Sequence, residues 1–355
     1  MHGRYGGMEM MQAIRKEAPQ MGLSLEKIPI QERLGPHEVR IQVTGASICG
    51  TDMHIYHWDR WAQGRIRPPM TVGHEMCGTV IETGSLVQHV HVGDFVSAET
   101  HIPCGHCRLC KTGKMHVCAN MKILGVDTEG VFAEYATIPE IVLWKNDTAL
   151  PVHWASVQEP LGNAVYTVMA ANVPGKSLLI CGAGPIGVMS VQVARALGAG
   201  PIIVTEVNPF RMEMAKANGA DYVIHPGETN AREAIMDITR GEGVEAALEM
   251  SGNEGALHLA LDALIPSGVL SLLGIFPGAV TLQINEMVVL KNLTLFGIAG
   301  RKMFETWYVV QSLLNNRRVN LDSIITHVLP LAQWQKGFDL MERGECGKIV
   351  IKLQE

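Results

Sequence analysis

The 355-residue sequence predicts an α/β protein of two domains, a doubly wound parallel sheet joined to a β-rich domain. Three observations predict it. From 161 to 300 the text alternates between short apolar runs and helical patterns, the rhythm of strands in a parallel sheet with crossover helices. From 10 to 160 it is instead punctuated by Gly and Pro, with strict alternation at 38–43, as in a twisted all-β domain with long loops. At 178–187 an apolar strand runs into three glycines, Gly182, Gly184 and Gly187, and then into a helix-like segment. In that order the first glycine allows a sharp turn and the second lets backbone approach a pyrophosphate. The third lets the new helix pack close to the sheet, its N-terminal amides aimed at phosphate. Glu206, nineteen positions beyond Gly187, ends the next strand, where a carboxylate can accept hydrogen bonds from an adenosine ribose.

The elements follow in order. Residues 1–9 read as a flexible leader, and 10–160 as the β-rich domain, with a cysteine lobe at about 100–120. Six apolar runs, at 178–181, 202–205, 222–224, 246–249, 269–273 and 294–298, complete the parallel sheet of 161–300. A helical segment at 303–315 and short strands ending at 348–351 remain, so 301–355 is expected to return to the first domain. Trp307 and Tyr308 read as helix core, and Cys77, Cys181 and Cys346 as buried thiols.

Composition narrows the function. A net charge of −6 offers no electrostatic footprint for nucleic acid, and no apolar run is long enough to span a membrane. The first residues lack the apolar segment of an export signal, which makes the cytoplasm the expected compartment. The eight cysteines then read as reduced thiols or metal ligands.

Two sets of residues have metal-ligand character. Cys104, Cys107, Cys110 and Cys118 follow C-x2-C-x2-C-x7-C within one loop, spacing that can close a tetrahedral zinc shell and leave no open position. The second set is dispersed: Cys49 before Thr51, His74 beside Glu75, and Glu159 before Pro160. Read singly, Cys49 is a small core residue, His74 a hydrogen-bonded surface group and Thr51 a turn cap. Together, thiolate, imidazole and carboxylate can hold zinc with one position left for an alcohol oxygen.

With these motifs the chain from Met10 onward resembles the zinc-dependent medium-chain dehydrogenases. The stretches 49–59, 159–165 and 300–308 resemble the threonine-oxidising branch of that superfamily. The resemblance implies a Rossmann domain beside a GroES-like catalytic domain with a structural zinc lobe. It implies two zinc ions per chain. By that resemblance Cys49, His74 and Glu75 would be the catalytic-zinc residues, with Glu159 either a ligand or a neighbour in a proton relay, and the four loop cysteines would hold the structural ion. Thr51 would bond the substrate oxygen, and His54 would receive the proton through the cofactor ribose.

On the cofactor side the backbone near Gly184, Pro185 and Ile186 should hold the pyrophosphate. Glu206 should repel a 2′-phosphate and so select NAD, although Arg211 could instead welcome that phosphate. The resemblance places Leu273, Gly274, Ile275, Ile298 and Ala299 along the nicotinamide half; Ala299 stands where Tyr or Thr is expected. The implied reaction is oxidation of L-threonine to 2-amino-3-oxobutanoate, with a polyol or 2,3-butanediol as alternative substrate. A non-catalytic binding protein on the same scaffold is the alternative of another class. His101, Trp58, Trp61 and Arg301 are candidate substrate contacts, and a homotetramer, or secondly a dimer, is the implied assembly.

Overall fold

The protein is described by a computed structural model covering the backbone of residues 4–5 and 8–354, with side chains from residue 9. Its contacts divide it into two compact units. One comprises Met1–Glu159, Ile325–Arg343 and Lys348–Glu355, the other Pro160–Ile324 and Gly344–Gly347.

The first unit is β-rich. Its central sheet has seven strands. Leu143–Lys145, Phe95–Ala98, Glu75–Thr83, Glu38–Ser47, Lys348–Lys352 and Ile325–Pro330 lie side by side, and Tyr135–Pro139 also pairs with Glu38–Ser47. Glu38–Ser47 shows why this text makes a strand. Val39, Ile41 and Val43 alternate with polar residues and are fully buried, so one face of the pleat enters the core. The C-terminal strand Lys348–Lys352 pairs antiparallel with Glu38–Ser47, which brings the end of the chain back into this sheet. That return begins at Ile325. Residues 301–324, including the helix Glu305–Asn315, pack in the second unit, so the domain boundary lies later than the sequence reading put it. Within the expected leader, Arg4–Tyr5 pairs with Met8 and Glu9, so a strand stands where a flexible segment was expected; residues 1–3 and 6–7 lie outside the described residues. A two-stranded ribbon, His101–Ile102 with Lys122–Ile123, forms the root of the cysteine lobe.

The second unit contains a six-stranded parallel sheet. Its order is Tyr222–Ile224, Ile202–Thr205, Leu178–Cys181, Val244–Glu249, Leu264–Leu272, Thr294–Gly297, the 3-2-1-4-5-6 order of a doubly wound dinucleotide fold. All four residues of Leu178–Cys181 are buried, as a central parallel strand covered on both faces requires. The helix Pro185–Ala196 starts with Gly184 as N-cap and Pro at its first position, where the missing N–H costs nothing. Gly187 shows why the motif needs a third glycine: a Cβ there would lie 2.1 Å from the Gly182 carbonyl oxygen. Trp307 is buried as expected, but its neighbour Tyr308 is 66% exposed. Successive residues of a helix point about 100° apart, so one of the pair faces outward.

No helix among the described residues is long and apolar enough to cross a membrane.

Candidate active site and metal centres

The four loop cysteines come together. Their sulfurs lie within 4.8 Å of one another, with Sγ–Sγ separations of 3.5 Å for Cys107–Cys110, 3.8 Å for Cys107–Cys118 and 3.5 Å for Cys104–Cys118. A tetrahedron with zinc–sulfur arms of about 2.3 Å has edges of about 3.8 Å, so the donor set fits zinc. Backbone N–H groups already serve the sulfurs: Cys104 and Asn120 donate to Cys118, and Cys110 donates to Cys107. The His106 N–H draws the Cys104 thiol below its usual range, while burial raises that of Cys110.

The dispersed set also converges, and strand register is the reason. Glu38–Ser47 and Glu75–Thr83 pair so that Ser47 stands opposite Glu75. Cys49, two residues past Ser47, N-caps the helix Gly50–His57, its N–H bonded to Asp52 Oδ2 at 2.8 Å. Ligand atoms of Cys49, His74 and Glu75 thereby come within 4.8 Å of one another. Among the described residues, these and the loop cysteines are the two groups with such geometry.

The surroundings of this group are ionic and buried. Lys348 donates to Glu75 Oε2 at 2.5 Å and to the Ile48 carbonyl at 2.9 Å, and Ser47 also donates to Glu75 Oε2. His74 Nδ1 and Asp52 Oδ1 lie 3.7 Å apart, each buried and without a hydrogen-bond partner, as is Glu75 Oε1. Orphaned polar atoms of this kind are costly unless a cation joins them, so these residues fit a zinc ion. Burial opposes a charge on His74, but Asp52, Cys49 and Glu75 outweigh it and push its pKa up to about 10. Burial pushes Asp52 up to about 6 despite the imidazole beside it. Lys348 is buried too, yet Glu75 and Cys49, with Glu159 further off, hold its pKa above the usual value.

Glu159 lies outside the three-residue group. It opens the helix segment after Gln158, is 6% exposed, and its Oε1 accepts from Thr100 Oγ1 at 2.7 Å. Thr51 Oγ1 is 4.0 Å from Cys49 Sγ. His54, three residues further along the same helix, is exposed, and its Nδ1 lies 2.6 Å from Asp59 Oδ2. Burial works against the Asp59 carboxylate, but the Ala62 N–H and His54 bring its pKa below the usual range. Of the substrate-contact candidates, His101 is largely buried beside Glu99, and Trp58 carries the Lys16 ammonium over its ring at 5.0 Å. Trp61 is exposed, and Arg301 is buried, donating to Asn163 at 2.9 Å.

In the second unit a cavity of about 710 Å³ is lined by Gly182, Gly184, Glu206 and Arg211, with Asn230, Arg232 and Ser251 among others. A Cβ at Gly184 would meet nothing within 4 Å, so the loop leaves open space where a phosphate needs it. Glu206 is fixed by three backbone donors: Ala183 N–H on Oε2 at 2.8 Å, and Val207 and Asn208 N–H on Oε1 at 2.7 and 2.9 Å. Pro185, Ile186 and Gly187 lie on the helix that begins at this cavity. Leu273, Gly274, Ile275, Ile298 and Ala299 lie after the ends of neighbouring strands and are not among its lining residues.

Sequence reasoning missed Asp52, Lys348, Ser47 and Thr100. Asp52 had a local signal, an acid three residues after the N-cap. Lys348 had none, for it lies 273 positions from its partner.

Fold, cysteine lobe and glycine-lined cavity together define a nucleotide-dependent dehydrogenase with zinc sites. Residues 35–148 match the alcohol dehydrogenase GroES-like domain, and residues 185–316 the zinc-binding dehydrogenase family. The chain is 50% identical over 347 residues to the L-threonine 3-dehydrogenase of Pyrococcus horikoshii, a match covering 98% of this chain and 99% of that one. Among solved structures it resembles the 2R,3R-butanediol dehydrogenase of Bacillus subtilis, with a TM-score of 0.86 and 27% identity over 96% of this chain and 99% of that one. It also resembles a protein of Sinorhizobium meliloti 1021 described as a zinc-binding dehydrogenase bound to NADP, with a TM-score of 0.88 and 26% identity over 97% and 99%. The chain belongs to the zinc-binding alcohol dehydrogenases of the medium-chain superfamily, within the branch that contains the L-threonine 3-dehydrogenases. It is an enzyme that uses zinc and a nicotinamide cofactor on a small alcohol.

Proposed function

We propose that this enzyme oxidises L-threonine at its secondary alcohol to 2-amino-3-oxobutanoate, using NAD and two zinc ions per chain. The observation that carries the reading is the convergence of Cys49, His74 and Glu75 around unpartnered buried atoms, in a chain half identical to threonine dehydrogenases over nearly its whole length.

Zinc held by these residues supplies a Lewis acid that lowers the pKa of an alcohol, and the nicotinamide supplies the hydride acceptor. Thr51 Oγ1 accepts the hydroxyl proton of the substrate and passes its own onward. His54 takes that proton, and Asp59 on Nδ1 leaves Nε2 free to exchange it with water. Lys348 donates to Glu75 Oε2 and orients its carboxylate. The four loop cysteines hold the structural ion. Gly182, Gly184, Pro185, Ile186 and Gly187 receive the pyrophosphate, and Leu273, Gly274, Ile275, Ile298 and Ala299 flank the nicotinamide half. Glu206 supports NAD over NADP because its carboxylate is locked by backbone donors at the cavity wall, where a 2′-phosphate would meet its charge; Arg211 lies on the adenosine side. Homotetrameric assembly, a cytoplasmic location and a role in threonine catabolism belong to the same reading.

The test is NADH formation with threonine, sorbitol and 2,3-butanediol side by side, paired with zinc per chain before and after mild chelation. Threonine should give the highest kcat/KM, and chelation should remove one zinc first and activity with it. Preference for a polyol, or activity that survives loss of the first zinc, would overturn the assignment. A kcat/KM favouring NADP would transfer cofactor selection from Glu206 to Arg211.

A further inference from the structure

Lys16 ends the strand Met8–Lys16 and is fully buried, a place folds seldom give to lysine. Antiparallel pairing of Arg15 with Thr71 and of Lys16 with Met70 fixes its backbone. Its ammonium carries three protons and meets three carbonyls, those of Gln20, of Gly22 at 3.0 Å and of Tyr56 at 3.4 Å. The first two belong to the turn that follows the strand. The third belongs to the last turn of the helix Gly50–His57, whose N-cap is Cys49. Turn and helix are also joined directly, for the Gly22 N–H donates to the same Tyr56 carbonyl at 2.7 Å. A cation suits this place, because the carbonyls at the C-terminus of a helix are its negative end.

The helix closes on Trp58, with φ 55° and ψ 44°. That is the left-handed conformation which glycine or asparagine normally supplies after a helix. A Cβ makes it unfavourable, and it persists where the surroundings hold it. Here the Trp58 ring lies 5.0 Å from the Lys16 ammonium, a cation–π contact. The left-handed step turns the chain back along the helix, so that the Asp59 N–H points at the His54 carbonyl at 3.4 Å. Asp59 Oδ2 then reaches His54 Nδ1 at 2.6 Å, while Oδ1 accepts from the Ala62 N–H at 2.9 Å and caps the next helix, Arg60–Arg65. One ammonium thus grips the turn before this corner, the helix end and the aromatic ring at the corner itself.

We infer that Lys16 is a positioning residue: its ammonium clamps the end of the helix Gly50–His57 and holds Trp58 in the left-handed conformation, which sets Asp59 against the His54 imidazole. This rests on the reading of His54 as the group that takes the proton of the substrate. Without the clamp the corner relaxes, and His54 loses the partner that orients its ring.

Lys16→Met keeps most of the stem and deletes the ammonium. Trp58→Leu keeps a large apolar side chain at the corner and deletes the ring, and it carries the test alone where Lys16→Met does not fold. Each should lower kcat for threonine oxidation by about 5- to 50-fold, a part of what a positioned acid–base group supplies, with zinc content unchanged. KM for threonine and for the cofactor should stay within about twofold of wild type. In the His54→Ala background each change should cost less than about twofold, because a residue acting through His54 has nothing left to position. Equal losses in both backgrounds, or wild-type kcat in the variants, would overturn the inference. A raised KM for threonine with unchanged kcat would overturn it too, by making this corner a substrate contact. His54→Ala alone separates the two levels. If it lowers kcat while Lys16→Met and Trp58→Leu do not, only the clamp falls; if it leaves kcat unchanged, the proton reading falls with it.

Discussion

Lys348→Met probes the buried ion pair on which the Glu75 position depends. The lysine is 4% exposed and Glu75 fully buried, with Nζ 2.5 Å from Oε2 and 2.9 Å from the Ile48 carbonyl. Methionine keeps most of the aliphatic stem, so packing changes little and the loss is chiefly electrostatic. Removing one partner of a buried pair leaves the other charge uncompensated, at a cost of about 3–5 kcal/mol. At about 2–4 °C per kcal/mol for a domain of this size, the metal-free protein should melt about 6–20 °C lower than metal-free wild type. With zinc present a second positive charge faces Glu75, and the drop should be distinctly smaller. The assay is thermal unfolding of both proteins, followed by circular dichroism, with and without chelator. Adding Glu75→Gln to Lys348→Met should recover most of the metal-free loss, since the stranded charge is gone. An equal drop with and without zinc would show that Glu75 is not shared between lysine and metal. No drop at all would show that the pair contributes nothing.

Thr51→Val should lower turnover by about 10²–10⁴-fold while zinc content stays unchanged, checked by steady-state kinetics with metal analysis; wild-type turnover would remove Thr51 from the proton path. Gly187→Ala drives a Cβ to 2.1 Å from the Gly182 carbonyl oxygen and should destabilise the second unit by at least about 1–3 kcal/mol, read by urea unfolding. Gly184→Ala meets nothing within 4 Å and should unfold like wild type yet bind the cofactor more weakly, and unchanged cofactor affinity would place the pyrophosphate elsewhere. Burial lowers Lys16 to about 8 from 10.5. The unfolded chain therefore keeps this proton to higher pH than the folded one, and the contribution of Lys16 to stability rises as pH climbs from about 8 to about 10.5. Lys16→Met should flatten that rise, and parallel stability–pH curves for the two proteins would refute it.

What the sequence disclosed depended on how far apart the cooperating residues lie. The glycine triplet and the loop cysteines each act within a few residues of chain, so spacing alone predicts their geometry. Cys49 and His74 are brought together by the antiparallel register of Ser47 with Glu75, which no local pattern states. Resemblance to a family was needed to group them. Lys348 reads in isolation as a charge at the start of a strand, and only the pairing of the last strand with Glu38–Ser47 carries it into the core. Tyr308 misled for the opposite reason: an aromatic pair suggests core, but adjacent helical positions diverge. The 301–324 segment misled because the sixth parallel strand completes the sheet without ending the unit.

The charge around Cys49 also decides between a structural and a binding role for this cluster. Glu75 lies within the Cys49–His74 group and Asp52 beside it, both fully buried, and the buried Lys348 ammonium faces Glu75. Without a metal, Asp52, Cys49 and Glu75 drive His74 up to about 10 against its burial, while burial drives Asp52 up to about 6. Burying this many ionisable groups is no route to stability, since apolar side chains of similar volume serve the fold at least as well. A divalent cation would change the balance: Cys49, His74 and Glu75 would hold it, and its charge would replace the protons there. Glu75 then lies between two positive charges and Glu159 is held by a hydroxyl. On the zinc reading proposed above, the arrangement would gain its stability from the ion it binds, with the Lys348–Glu75 contact keeping that carboxylate in place.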